Sequence, residues 1–112
     1  MLTNIIKSEI YKSFEVKIQT LDQYMEINNI KRINFIKIDT EGYEYEILKG
    51  LKNKIRYVDI IMFEHHYNDM IKKNYTFTDI NALLKINSFV QIYKSKMPFR
   101  KTFEYIYQKK EL

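Results

Sequence analysis

The sequence predicts an α/β sandwich whose sheet is mostly parallel, with an antiparallel pair of strands at one edge. Three observations carry this reading. Short β-branched and aromatic runs alternate with segments of helical periodicity, the pattern of strand–helix–strand units. The run "VDIIMFE" (58–64) is almost continuously apolar, as in a strand covered on both faces. Two alternating segments at the end, "FVQIYK" (89–94) and "FEYIYQK" (103–109), flank Pro98 and read as an antiparallel edge pair.

Taken in order, "FEVKIQ" (14–19) alternates apolar and polar residues and predicts a strand. Thr20 offers an N-cap for a short helix over "LDQYMEIN". "INFIKI" (33–38) is a strong strand signal. From Gly42 the apolar positions Tyr43, Ile47, Leu48 and Leu51 form a helical stripe, and Gly50 fits its end as a left-handed cap. Thr78 offers a cap for "DINALLKI", with Ile80, Leu83 and Leu84 facing inward. The order is strand, helix, strand, helix, strand, helix, strand, strand.

The 112 residues suffice for one domain, and 46% hydrophobic content makes it globular. Cysteine is absent, so neither a disulfide framework nor a thiolate metal site is possible. No apolar run approaches the ~20 residues of a membrane helix, and the charged first residues do not resemble a signal peptide. The expectation is a soluble, cytoplasmic protein. The net charge is +5, but the lysines are scattered and the bias toward Ile, Lys, Asn and Tyr is what AT-rich coding produces. Charge therefore gives little support to a nucleic-acid partner. Gly occurs only at 42 and 50, which excludes a P-loop or dinucleotide fingerprint within the chain.

Chemistry concentrates where strands end. Parallel sheets bind ligands at the carboxyl ends of their strands. Asp39 ends one strand and Glu64 the next; on neighbouring strands, ~4.8 Å apart, their carboxylates share a rim. Such a pair can raise one pKa and create a general base, or hold a hard cation. Glu41 is a third carboxylate, and His65 and His66 follow Glu64, one of them pointing away from its face. Each has a structural alternative: Asp39 as a helix cap, Glu41 as a favourable charge in a first helical turn, Gly42 as a tight-turn residue. Lys37, inside an apolar strand, either snorkels at an edge or pairs with a rim acid. The tyrosines and phenylalanines read as core.

These residues resemble a known family. Thr20-Leu21-Asp22, then the run Lys37 to Glu44 ("KIDTEGYE"), then Leu48-Lys49-Gly50, then a strand ending at Glu64, follow the motif order of the FkbM-type methyltransferases. The resemblance covers about residues 14 to 94. It implies a Rossmann-like methyltransferase sandwich using S-adenosylmethionine, with a small hydroxylated acceptor such as a sugar. It implies Asp39, Glu41 and Glu64 as catalytic residues and Asp39 and Asp22 as cofactor-binding residues, without a resident metal. The family's glycine-rich loop and acidic ribose-binding strand end lie before the first of these motifs, so residues 1–112 resemble the C-terminal half of the domain, a sheet apparently lacking its first strands.

Three functions remain open. The chain is the acceptor side of an FkbM-like O-methyltransferase. Alternatively, it is a non-catalytic remnant or assembly module that associates or pairs through its open sheet edge. A third option is a metal-dependent nucleic-acid enzyme built on Asp39, Glu41 and Glu64.

Overall fold

The computed structural model describes residue 13, residues 15–68 and residues 71–110. Helix α1 spans Leu21–Ile27, strand β1 Ile33–Ile38, helix α2 Glu44–Lys49, a 3-10 helix Lys52–Tyr57, strand β2 Val58–His66, helix α3 Phe77–Ile86, strand β3 Phe89–Lys96 and strand β4 Thr102–Lys109. The strands form one sheet in the order β1-β2-β4-β3.

Local chemistry explains most of these elements. Thr20 caps α1, and the Gln23 side chain accepts its backbone N–H at 3.1 Å. α3 begins at Phe77, not after Thr78. Thr76 is the cap because Asp79, three residues on, accepts the Thr76 N–H at 2.8 Å and completes a reciprocal capping box. Gly50 is not a left-handed cap. Its φ is −67°, and the chain continues through Leu51 into the 3-10 helix, with the positive φ passed to Lys52.

The sheet is mixed rather than mostly parallel. β1 pairs with β2 in parallel, whereas β2–β4 and β3–β4 are antiparallel. The predicted antiparallel pair exists, but only β3 is at the edge, because β4 turns back between β2 and β3. Burial explains the placement. Tyr105 and Tyr107 of β4 are fully buried and need an interior position, while β3 carries Gln91, Lys94 and Lys96 and suits an edge. The strand expected over 14–19 is absent from residues 15–19, which are exposed and form no ladder; Phe14 lies outside the described residues.

Side chains alternate across the sheet. One face carries Ile38, Ile61, Phe63, His65, Tyr105 and Tyr107, all buried, and packs against Leu48 of α2 and Ile80 and Leu84 of α3. Phe63 stacks on Tyr105 at 5.5 Å between ring centres, and Phe77 of α3 stacks on the same tyrosine at 4.5 Å. The opposite face leaves Phe35 52% exposed and Tyr93 45% exposed. β2 is therefore sealed on one face and only half-covered on the other. Among the described residues β1 is an edge strand with β2 as its single partner.

Candidate active site

The parallel pair defines the site. Ile38 pairs with Phe63, so Asp39 leaves β1 at the level of Glu64, but Glu64 does not end its strand as expected: β2 continues to His66 because β4 pairs with it that far. This is the rim where a parallel sheet presents ligands. Asp39 is exposed, and its carboxylate makes no hydrogen bond or ion pair with the described residues. Glu64 is half-buried on β2 and lies directly across from Glu104 of β4. Lys37 is exposed and forms no ion pair among the described residues, so of the two readings the edge position describes it.

The turn after Asp39 has an unusual backbone. Glu41 has φ +53° and Gly42 φ +112°. The second value favours glycine alone, and a Cβ there would lie 2.3 Å from the Lys72 carbonyl oxygen. Both the torsion and the close approach of another segment require the glycine. Glu44 holds this turn from beneath. It is fully buried, and its carboxyl accepts the Gly42 N–H at 3.0 Å and the Thr40 N–H at 3.4 Å, and the Tyr75 hydroxyl at 2.7 Å. Burial, then the bond to Glu44, pushes the Tyr75 hydroxyl far above the usual phenol range.

The two histidines separate, as alternation requires. His66 lies on the side of Glu64; its Nδ1 meets the Thr102 hydroxyl at 2.9 Å, and its buried Nε2 has no partner among the described residues. His65 is buried on the opposite face against Tyr67, Tyr75 and Phe77. Burial is the main reason its pKa falls to about 4, with Lys73 pushing the same way. At neutral pH it is an uncharged core side chain.

Asp22 occupies the first turn of α1. It accepts the Thr20 hydroxyl, lies 3.8 Å from the Lys52 ammonium, and its backbone N–H donates to the Gly50 carbonyl at 3.1 Å. The Thr20 hydroxyl, then the Gln23 backbone N–H and the nearby lysines, hold its carboxyl below the usual range. No hydrogen bond joins Asp22 to Asp39. Asp22 instead fixes Thr20, which with Leu21, Tyr43 and Ile47 lines a cavity of about 410 Å3 between α1 and α2.

Glu41 lines a second cavity, of about 490 Å3, with His66, Asn68 and the β3–β4 turn residues Phe99, Arg100 and Lys101. The structure thus joins Asp39 and Glu64 by register and Glu41 and His66 by a shared cavity. It does not gather the acids into one cluster: among the described residues no group of three or more His, Asp or Glu side chains could hold a metal ion.

Sequence reasoning missed Glu44 and Tyr75. A glutamate opening a helix reads as an exposed charge helped by the helix dipole. The available signal was its position two residues after Gly42, within reach of a turn whose amides need an acceptor.

The family model described as Methyltransferase FkbM domain matches residues 2–93. The hexuronic acid methyltransferase AglP of Haloferax volcanii is 33% identical over 54 residues, covering 48% of this chain and 23% of that protein. The match therefore spans less than a quarter of the relative's length. No solved structure matches the chain. Among the described residues no helix is long and apolar enough to cross a membrane.

Proposed function

The chain belongs to the FkbM methyltransferase family, and from that premise we propose that it forms the acceptor side of an S-adenosylmethionine-dependent O-methyltransferase. Its substrate is a sugar or another small hydroxylated metabolite. The observation that carries the reading is the free Asp39 carboxylate on the Glu44-held turn at the rim of the parallel pair. The family match and the sugar-acid methyltransferase among its relatives support it.

The residues present fit the cofactor class. A solvent-facing carboxylate suits a cationic group, and Tyr43, 62% exposed and four residues after Asp39, sets an aromatic face on the apolar cavity between α1 and α2. Asp39 and the wall of Tyr43 and Thr20 would hold the cofactor, with Asp22 supporting Thr20. S-adenosylmethionine, when bound, supplies a methyl group on a positively charged sulfur. Asp39 orients the acceptor hydroxyl and accepts its proton as the oxygen becomes a nucleophile. Glu41 and Glu64 shape the acceptor side, and rigidity of the turn provides the alignment on which such transfers depend.

Calorimetry with S-adenosylmethionine, followed by methyl transfer to uronic and neutral sugars, tests the reading. Cofactor binding and transfer that disappears in Asp39→Asn are expected. Transfer unaffected by Asp39→Asn, or absence of cofactor binding, would overturn it for this chain.

A second reading has its own observation. No described residue pairs with the outer edge of β1, and Phe35 stands exposed beside it, the arrangement of a surface that accepts another chain. In that case the chain is an assembly module and completes its sheet with a partner. A strict monomer in sedimentation, combined with cofactor binding, would sink it.

A further inference from the structure

We propose that the β3–β4 turn docks on an anionic membrane surface, with Phe99 entering the headgroup layer and the cations around it pairing with lipid headgroups. The inference goes beyond the methyltransferase reading and does not depend on it. Lysines are scattered along the chain as a whole, yet from Ile80 to Phe103 five cations (Lys85, Lys94, Lys96, Arg100 and Lys101) meet no acidic residue. Lys96, Arg100 and Lys101 flank Phe99 closely, are exposed, and form no ion pair among the described residues.

A single exposed phenylalanine is ordinary on a protein surface. The backbone of Phe99 is not. Its φ is +59°, and its ring is fully exposed. Pro98 and Phe99 form the middle of a turn closed by the Arg100 N–H, which donates to the Met97 carbonyl at 3.4 Å. A central turn position with positive φ is ordinarily filled by glycine or asparagine. A bulky aromatic there costs strain, and no burial within this chain offsets it. The turn is also braced. The Met97 N–H donates to the Thr102 carbonyl at 2.9 Å, and the Tyr67 N–H donates to the Lys101 carbonyl at 2.8 Å, tying the turn to the end of β2.

The chemistry of the turn selects its occupant. Met97, Pro98 and Phe99 make an apolar tip with cations on both sides of it in sequence. An anionic bilayer offers the matching layers, an acyl boundary for the tip and charged headgroups for the cations. Each cation near such a surface contributes about fivefold in partitioning, so three supply roughly a hundredfold. Attachment of this kind is reversible and needs no spanning helix. A single-stranded nucleic acid would instead need successive aromatic faces along a basic groove, and the tip presents one ring. The ladder sets the orientation. Thr102 pairs with His66 at the end of β2, and the turn shares a cavity of about 490 Å3 with Glu41. A docked chain therefore holds the Asp39 rim beside the bilayer.

Co-sedimentation of the full chain with vesicles tests the assignment. Phosphatidylcholine vesicles with about 30% phosphatidylserine are expected to bind it about tenfold or more tightly than phosphatidylcholine alone, a difference that shrinks as salt is raised. The double substitution Arg100→Ala with Lys101→Ala should weaken binding about tenfold or more. Phe99→Gly should weaken it about threefold or more without lowering the melting temperature, because strain is relieved. The chain has no tryptophan, so Phe99→Trp supplies a unique probe. Its emission should shift to the blue with the phosphatidylserine vesicles and be quenched by brominated acyl chains, signals that a purely structural role does not produce. No vesicle binding, equal binding to the two vesicles, binding that survives both the Phe99→Gly and the double substitution, or a Phe99→Trp emission that stays that of water would each overturn docking by this turn. Tighter binding to an oligouridylate than to vesicles, lost in the same variants, would assign the turn to nucleic acid and overturn it as well. Methyl transfer enters none of these measurements, so the docking and the methyltransferase reading fail separately.

Discussion

The Tyr75 hydroxyl donates a 2.7 Å hydrogen bond to Glu44, and both side chains are buried beneath the turn that carries Asp39. Tyr75 belongs to the segment leading into α3, so the bond ties that segment to α2 and to the rim of β1. Removing the hydroxyl with Tyr75→Phe leaves one carboxyl oxygen short of a donor and costs about 1–2 kcal/mol. Glu44→Ala strands the Gly42 and Thr40 amides and the tyrosine hydroxyl together, and costs about 3 kcal/mol or more. Glu44→Gln is milder, because its carbonyl still accepts from the turn and its amide can donate to the tyrosine oxygen. Urea denaturation of the three variants measures the series, and equal losses would contradict the clamp.

The two glycines should respond oppositely to alanine. At Gly42 the torsion of +112° and the 2.3 Å approach of the Lys72 carbonyl leave no room for a methyl group. Gly42→Ala is expected to destabilise by about 3 kcal/mol or more, through strain and forced displacement of that carbonyl. Gly50 is in the right-handed helical region, where alanine gains ~1 kcal/mol of helix propensity. Its added Cβ would meet Thr20 Cβ at 3.5 Å, ordinary contact, and the Ile47 carbonyl oxygen at 3.2 Å, which is tight. Gly50→Ala therefore changes stability by less than ~1 kcal/mol in either direction. A large loss at Gly50 would restore its reading as a left-handed cap.

The contrast shows what was readable from the residues. "INFIKI" coincides with β1 because its β-branched density has no competing signal. The Thr20 cap was visible because Gln23 supplies the second half of its box, whereas Thr78 drew attention from Thr76, whose partner is the less obvious Asp79. Gly50 misled because the positive torsion passed to Lys52, a tertiary outcome that local pattern does not encode. Alternation revealed that β3 and β4 pair but not that β4 lies inside. That depends on the burial of Tyr105 and Tyr107 against α3, a contact made only after folding. At the site, the motif directed attention to Asp39 and Glu41, while Glu44, the last residue of the same motif run, was given no role, because its burial against Tyr75 is a tertiary contact.

Asp39, Glu41 and Glu64 should separate by kinetics. Asp39 is exposed and unengaged, so Asp39→Asn leaves stability within ~0.5 kcal/mol. On the proposal that it takes the hydroxyl proton, its loss should cost about 10²–10⁴-fold in kcat. Glu41→Gln is expected to raise KM for the acceptor with a smaller effect on kcat. Glu64 faces Glu104 across the ladder, so Glu64→Gln relieves a like-charge pair and raises stability by a few tenths of a kcal/mol, roughly. Steady-state kinetics beside thermal melts read both properties. An Asp39→Asn enzyme with normal kcat would remove Asp39 from the reaction.

His65 gives the fold a pH dependence of definite sign. Its pKa falls from 6.5 to about 4, first through burial, then through Lys73, against a smaller upward pull from Glu44. The folded state keeps the ring neutral while the unfolded chain protonates it, so acid favours unfolding. The stabilisation is complete above pH ~6.5 and declines through the window down to about 4. Between pH 7 and pH 5 the loss is roughly 2 kcal/mol from this side chain. Asp22, Glu26 and Asp59 also have depressed pKa values, held by the Thr20 hydroxyl, Lys54 and Arg32 respectively, but they lose their contributions only within and below the carboxylate range. Urea midpoints at pH 7 and pH 5 isolate the histidine. The wild type should lose stability over this interval, and His65→Gln, less stable at pH 7, should lose little more as pH falls. Parallel slopes for the two proteins would show that the titrating group is another one.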